Sequence, residues 1–182
     1  MARLIFNFDP VERFVVGTVG EPGERTFFLQ ARTGSRLTSV LVEKVQVSAL
    51  AERIGFLLRE LKRNDATFRV ETLPRDDAAL EQPILEEFRA GVMGLSWLSE
   101  RSLVSIELQA LTEQDEESEE IASDDSEDAP DILRITLTPA QAQSFTTRAL
   151  AVLNAGRPPC PFCGLALDPR GHVCPRANGY RR

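Results

Sequence analysis

Apolar and polar positions alternate through the first forty residues of this chain. Residues 3–8 read as a strand and residues 13–19 as a second, with Phe14, Val16 and Thr18 recurring at period two. Glu21-Pro22-Gly23-Glu24 places proline and glycine at the two centres of a type II turn, so a hairpin leads into residues 26–31. Thr33-Gly34-Ser35 then joins that strand to residues 37–42. Beyond this the period changes. Val47, Leu50, Ile54, Leu57, Leu58 and Leu61 fall at steps of three and four along one face of a helix.

After a polar connection through Pro74-Arg75-Asp76-Asp77 and Pro83, the pattern begins again. Glu12-x-Phe14-x-x-Gly17-x-x-Gly20 is matched by Glu86-x-Phe88-x-x-Gly91-x-x-Gly94, and Leu29-Gln30-Ala31 by Leu108-Gln109-Ala110. Gln46, Arg53 and Leu58 of the helix are matched by Gln141, Arg148 and Leu153. The second helix is announced by Thr138 as N-cap, Pro139 at the first helical position and Gln141 closing a capping box. Ala142, Phe145, Ala149, Val152 and Leu153 form its apolar stripe, and Gly156 ends it. The expectation is an α+β fold of tandem βββα repeats, about 12–64 and 86–156, forming a mainly antiparallel sheet with two helices. Equivalent buried positions are expected for Phe14 and Phe88, and one backbone conformation for Gly17 and Gly91. A ligand or partner is expected at the seam between the halves.

Charge changes this picture at one place. The net charge is −7, yet eleven of the 28 acidic residues lie in residues 113–131, which hold no basic residue. Without them the body carries about +4. So acidic a stretch has little with which to build a core, and it is expected to be a disordered loop over residues 114–131. A solubilising insertion is one reading of it, and a competitor for a basic surface is the other.

The chemistry concentrates at the C-terminal end, where residues 157–182 form an appendage to the 1–156 body. All three cysteines and the one histidine fall in the pattern C-x2-C-x8-H-x-C: Cys160, Cys163, His172 and Cys174. Cys3His is a donor set of closed, tetrahedral structural zinc sites, so one structural Zn²⁺ per chain is expected. Pro161 and Gly164 supply the sharp turn around the first pair, and Asp168-Pro169-Arg170-Gly171 reads as a type I turn folding the pairs together. Three thiolates, an imidazole and Zn²⁺ carry a formal charge of about −1, which Arg157, Arg170 and Arg176 would balance. The same arginines could instead contact phosphate or nucleic acid. A redox dithiol would leave His172 and Cys174 without a role, and a zinc deaminase needs an upstream histidine that this chain lacks.

The segment 8–32, F-D-P-x-E-R-F-V-x-G-T-V-G-E-P-G-x-R-T-F-F-L-Q-A-R, resembles an uncharacterised actinobacterial family known as domain of unknown function 3090. So does the tail 156–180, G-R-P-P-C-P-F-C-G-x-x-L-D-P-x-G-H-x-C-P-R-A-N-G-Y. The resemblance covers essentially the whole chain. It implies a gene neighbourhood that contains the mycothiol cysteine ligase, and it supplies no catalytic residue.

With its histidine and thiols committed to metal, the chain has carboxylates such as Glu12, Glu43, Glu86, Glu87 and Glu107 as its remaining acid–base groups. The sequence therefore points to a non-enzymatic, zinc-stabilised binding or adaptor protein with a protein partner. Alternatives are a nucleic-acid or nucleotide binder using the basic knuckle, and an enzyme with carboxylate chemistry at the seam. No stretch is apolar enough to span a bilayer or serve as a leader, so a cytoplasmic setting without membrane contact is expected.

Overall fold

The computed structural model describes residues 3–112, 120–124, 126, 129–165, 167, 172 and 174–176. The strands are β1 (Ile5–Phe8), β2 (Arg13–Val19), β3 (Thr26–Thr33), β4 (Arg36–Val42), β5 (Glu86–Leu98), β6 (Leu103–Ala110) and β7 (Ile132–Leu137); the helices are α1 (Lys44–Asn64) and α2 (Pro139–Asn154). The strands form one seven-stranded sheet in the order β1-β7-β6-β5-β4-β3-β2. Pairing is antiparallel except at β1 with β7 and β4 with β5, which run parallel. The fold is thus α+β, running βββα twice after an added first strand. No helix among the described residues is long and apolar enough to cross a membrane.

Alternation along the strands sorts the side chains into two layers. Phe14, Val16, Leu29, Val40, Ile106, Leu108 and Leu133 enter the main core with Val47, Leu50 and Ile54 of α1 and Ala142, Phe145 and Ala149 of α2. Phe14 stacks on Phe145 with ring centroids 4.7 Å apart. The N3 glutamines of the helices act alike. Gln46 accepts from Glu43 N–H and donates to Ala90 and Gly91 carbonyls, whereas Gln141 accepts from Thr138 N–H and donates to the Val11 carbonyl. Each therefore caps its helix and ties that helix to the sheet.

On the opposite face each half is crossed by a strap. In the first, Leu80 packs with Val15 and Phe28, and Glu81 N–H donates to the buried Gln30 side chain at 2.8 Å. In the second, Ala122 N–H donates to the buried Gln109 side chain, also at 2.8 Å. Leu80 lies so close over Gly17 that a Cβ there would meet it at 2.5 Å, and Ile121 lies over Gly94 at 3.5 Å. Ile121 and Ala122 belong to the acidic stretch. Asp124, two residues on, bridges Arg3 and Arg134, each at 2.7 Å. Of the stretch expected to be disordered, residues 114–119, 125, 127 and 128 lie outside the described residues, while the described remainder includes this anchored strap.

The register corrects one expected correspondence. Ala31 faces Phe14 and Phe28 faces Gly17 across β2/β3; across β5/β6 Ala110 faces Ala90 and Glu107 faces Gly94. With Leu29-Gln30-Ala31 set against Leu108-Gln109-Ala110, the counterparts of Phe14 and Gly17 are thus Ala90 and Gly94, not Phe88 and Gly91. The matched pairs thus lie 76 and 77 positions apart in the sheet and not 74, and the one-residue register shift between Ala90 and Met93 accounts only for the difference between those two separations. Phe88 instead sits beside Val40 of β4, partly buried.

Arg53 and Arg148 differ for a related reason. Arg148 is 7 % exposed and donates to the Val16 carbonyl on edge strand β2 at 2.6 Å and to the carbonyls of Asp76 and Ala78 on the strap. Arg53 is exposed. Strand β5, the counterpart of β2, is already paired with β4, so it offers no open edge for an arginine to close. Arg148→Ala is expected to cost on the order of 3 kcal/mol in urea unfolding, since three carbonyls lose a charged donor, and Arg53→Ala under about 0.5 kcal/mol. Equal losses would show that Arg148 does not bind the edge.

The two ends of the sheet also meet. Val11 N–H donates to the Thr136 carbonyl, and Asp9 accepts from both Arg101 nitrogens at 2.7 and 2.6 Å and from the Thr136 hydroxyl at 2.5 Å. The Arg101 bonds, with that of Thr136, hold the Asp9 carboxyl down at about 2 from an ordinary 3.8. Its folded value is depressed, so its stabilisation is full above about pH 4 and fades as pH falls towards 2. Asp9→Asn should remove about 1–2 kcal/mol at pH 7 and flatten the stability profile between about pH 4 and pH 2. An unchanged acid limb would refute the assignment.

Candidate metal centre

The chain leaves α2 through Arg157-Pro158-Pro159 and turns back on itself as a small hairpin. Cys160 N–H donates to the Leu165 carbonyl at 2.7 Å, and Leu167 N–H to the Pro158 carbonyl at 2.9 Å. Inside this, Gly164 N–H donates to the Cys160 carbonyl at 2.9 Å. Gly164 adopts φ +75, a left-handed conformation that glycine enters without a Cβ penalty, so the glycine four positions after Cys160 closes the turn. That turn brings the first pair of thiols together.

The second pair arrives from further along. Donor atoms of Cys160, Cys163, His172 and Cys174 all lie within 4.8 Å of one another, and the group could hold a metal ion. Cys160 Sγ and Cys174 Sγ stand 3.8 Å apart, far beyond the roughly 2.05 Å of a disulfide, and Cys163 Sγ lies 3.2 Å from His172 Nε2. Cys160 and Cys174 are buried, while Cys163 and His172 are half-buried. All four ligands expected from the spacing are therefore gathered at one point. The turn expected at Asp168-Pro169-Arg170-Gly171 lies outside the described residues.

Electrostatics favour a thiolate at one end of the cluster. Backbone N–H groups of Cys163 and Phe162 lower the Cys160 thiol to about 6, whereas burial raises that of Cys163. Of the three arginines set beside the knuckle, Arg176 donates to the Phe162 carbonyl at 3.2 Å, and Arg157 packs across Gly23. Arg170 is outside the described residues.

Two concavities open on the surface, one of them beside the hairpin. A groove of about 960 Å³ follows the seam between the helices, with Phe56, Leu57, Leu95 and Leu150 on its walls. A second of about 500 Å³ lies where the knuckle meets the body and is bordered by Arg25, Lys44, Arg157 and Pro159. Arg25 and Lys44 went unnoticed in the sequence, since they come from a turn and a helix start far from the cysteines. The carboxylates singled out earlier do not converge. Glu12 pairs with Arg32, Glu43 with Arg89 and Glu107 with Arg134, while Glu86 and Glu87 are exposed.

The chain belongs to the family described as protein of unknown function (DUF3090), whose model matches residues 6–174. Comparison with curated proteins gave no match, and neither did comparison with solved structures. Cobalt(II) supplies a direct test of the cluster. Added to metal-free protein, it should give the ligand-field and thiolate charge-transfer bands of a four-coordinate sulfur-rich site, and Cys174→Ser should shift and weaken them. Octahedral, thiolate-free spectra would rule the cluster out as the site.

Proposed function

We propose that the protein is a non-enzymatic binding or adaptor protein whose C-terminal hairpin is stabilised by structural zinc. The observation that carries this reading is the closure of four protein donors on one point. Two sulfurs on a tetrahedral ion with bonds of about 2.3 Å stand about 3.8 Å apart, matching the 3.8 Å between Cys160 and Cys174. Cys160, Cys163, His172 and Cys174 fill a tetrahedral shell, so no coordination position remains for substrate. In a reducing, cytoplasmic setting the thiols stay available to the metal.

The partner surface in this reading is the groove between α1 and α2. Phe56 and Leu150 stand 59 % and 48 % exposed on it, and Arg53, Arg59, Lys62 and Arg69 on its rim and in its continuation outnumber Glu52 and Glu60 there. That lining suits a protein segment with apolar side chains beside acidic ones. The groove lies between the two βββα halves, and we read these as an internal duplication, supported by the paired glutamines Gln46/Gln141 and Gln30/Gln109.

Metal analysis of purified protein should give about one zinc per chain. Stoichiometric zinc retained after replacement of all four ligands would overturn the structural-zinc reading. Phe56→Asp should abolish co-purification of an acidic partner from the native cell while leaving the zinc in place. A partner that binds this variant as well would move the surface elsewhere.

A further inference from the structure

The walls of the groove between the helices offer a guest side chains and no backbone. Among the described residues lining it, all but Leu95 belong to α1 or α2, whose N–H and C=O groups are already bonded within the helices. An extended segment lying there would turn half of its own backbone groups towards apolar side chains, without partners. A helix keeps those groups to itself and offers only side chains in return. The groove is also of helical length. It shares Gly55, Arg59 and Thr146 with a second hollow of about 420 Å³, and from Ala51 to Lys62 the two together follow α1 for about three turns.

Gly55 marks where a guest comes closest. A glycine inside a helix destabilises it against alanine, and internal packing does not call for this one. Beyond the helix's own backbone, a Cβ there would meet a single atom within 4 Å, Nη1 of the long Arg59 side chain at 3.3 Å. The missing side chain lowers the floor that both hollows share, beside the exposed Phe56 and Leu150. Charge is divided along the same line. Glu52 offsets Arg53 at one end, Glu60 is tied to Arg63, and Arg69 donates to the Ala66 and Phe68 carbonyls beside Asp65. Arg59 and Lys62 remain, without an ion pair among the described residues and without a carboxylate among those lining the second hollow. Lys62 also answers the partial negative end of α1, so Arg59 carries the larger share.

We propose that the groove receives an acidic amphipathic helix of a partner protein. Its apolar face lies over Gly55 against Phe56 and Leu150, and carboxylates further along it meet Arg59 and Lys62. A guanidinium takes a carboxylate with two parallel bonds, while a lysine ammonium takes it as a point charge. Cations beside an apolar stripe select against a basic helix and give a purely apolar one nothing to pair with them. Glu52 and Glu60 on the rim repel the phosphates of a nucleic-acid strand, so a protein guest is favoured. The inference rests on the reading of this groove as the partner surface and adds the form and charge of the guest. It does not depend on the zinc.

The test uses the full chain and the fluorescence anisotropy of a labelled synthetic peptide of about four turns, with leucine along one face and glutamate along its flanks. Two companion peptides carry lysine in place of glutamate, or proline at the centre so that the helix cannot form. Saturable binding of the glutamate peptide is expected, with both companions at least about tenfold weaker. Gly55→Met should weaken binding about tenfold without lowering the melting temperature, because methionine fills the floor and favours the helix. Arg59→Gln should weaken it about threefold, and Arg75→Gln, on the strap, less than about twofold. A proline peptide that binds as well as the glutamate peptide, or a Gly55→Met variant that binds like the parent, would overturn the helical guest and leave the surface standing. A Phe56→Asp variant that binds the glutamate peptide like the parent would remove the surface as well. No saturable binding of the glutamate peptide, or binding of single-stranded RNA in its place, would overturn the inference.

Discussion

Arg148 holds three layers of the molecule with one guanidinium. Its stem starts in the helix layer, its Nε closes the open edge of β2 at Val16, and its Nη1 reaches the strap at Asp76 and Ala78. Edge strands expose unpaired carbonyls, and a buried cation spent on such carbonyls seals an edge while it satisfies its own charge. Asp76 adds the counter-charge and is shared with Arg13, whose bond to it holds the carboxyl below its usual range. Arg13 and the buried Gln30 hold the same strap at Asp76, Ala78 and Glu81, so Leu80 is kept over Gly17 from both sides. Helix α2, which ends the second run of βββα, is thereby fastened to the edge strand and strap of the first.

The second half solves the same problem with other residues. Its strap is drawn from the connection between β6 and β7 instead of from the segment after a helix, and Arg134 and Arg3 fasten it through Asp124. Arg134 also pairs with Glu107 across the ladder. A buried glutamine presenting its amide oxygen to a strap N–H recurs at Gln30 and Gln109, although the straps come from non-corresponding places in the chain. The outer face of this sheet needs a cover, and the sequence meets that need by whatever connection passes over it.

Much of this was legible beforehand. Period two and the Pro-Gly turn gave the strands, and the spacing of Val47, Leu50 and Ile54 gave α1. The capping box at Thr138 gave α2, and the cysteine spacing gave the cluster. What could not be read follows from long-range geometry. Phe88 aligned with Phe14 in sequence but not in the sheet, because the pairing of β5 with β6 is set by contacts across the sheet and not by the spacing of glycines along one strand. The different fates of Arg53 and Arg148 depend on which strand lies at an edge. Acidic composition concealed the anchoring of Ile121, Ala122 and Asp124, because charge averaged over a segment says nothing about one apolar residue and one carboxylate finding partners. Arg25, Lys44 and Arg157 meet only through tertiary structure.

The parallel pairing of β1 with β7 sets the order in which the molecule can be completed during synthesis. Ile5 must find Ile132, and Leu4 must accept from Ile132 N–H, across nearly three-quarters of the chain. Local meanders close early, whereas contacts of such sequence separation close late and slowly. Until β7 has emerged from the ribosome, the first strand has no neighbour, and Phe8 and Val11 have no finished core to enter. The cysteine hairpin follows β7 by only one helix, so its thiols are delivered as the sheet is being closed. The gathering of the cysteine–histidine cluster and the docking of the N-terminus thus fall in the same last stage of folding.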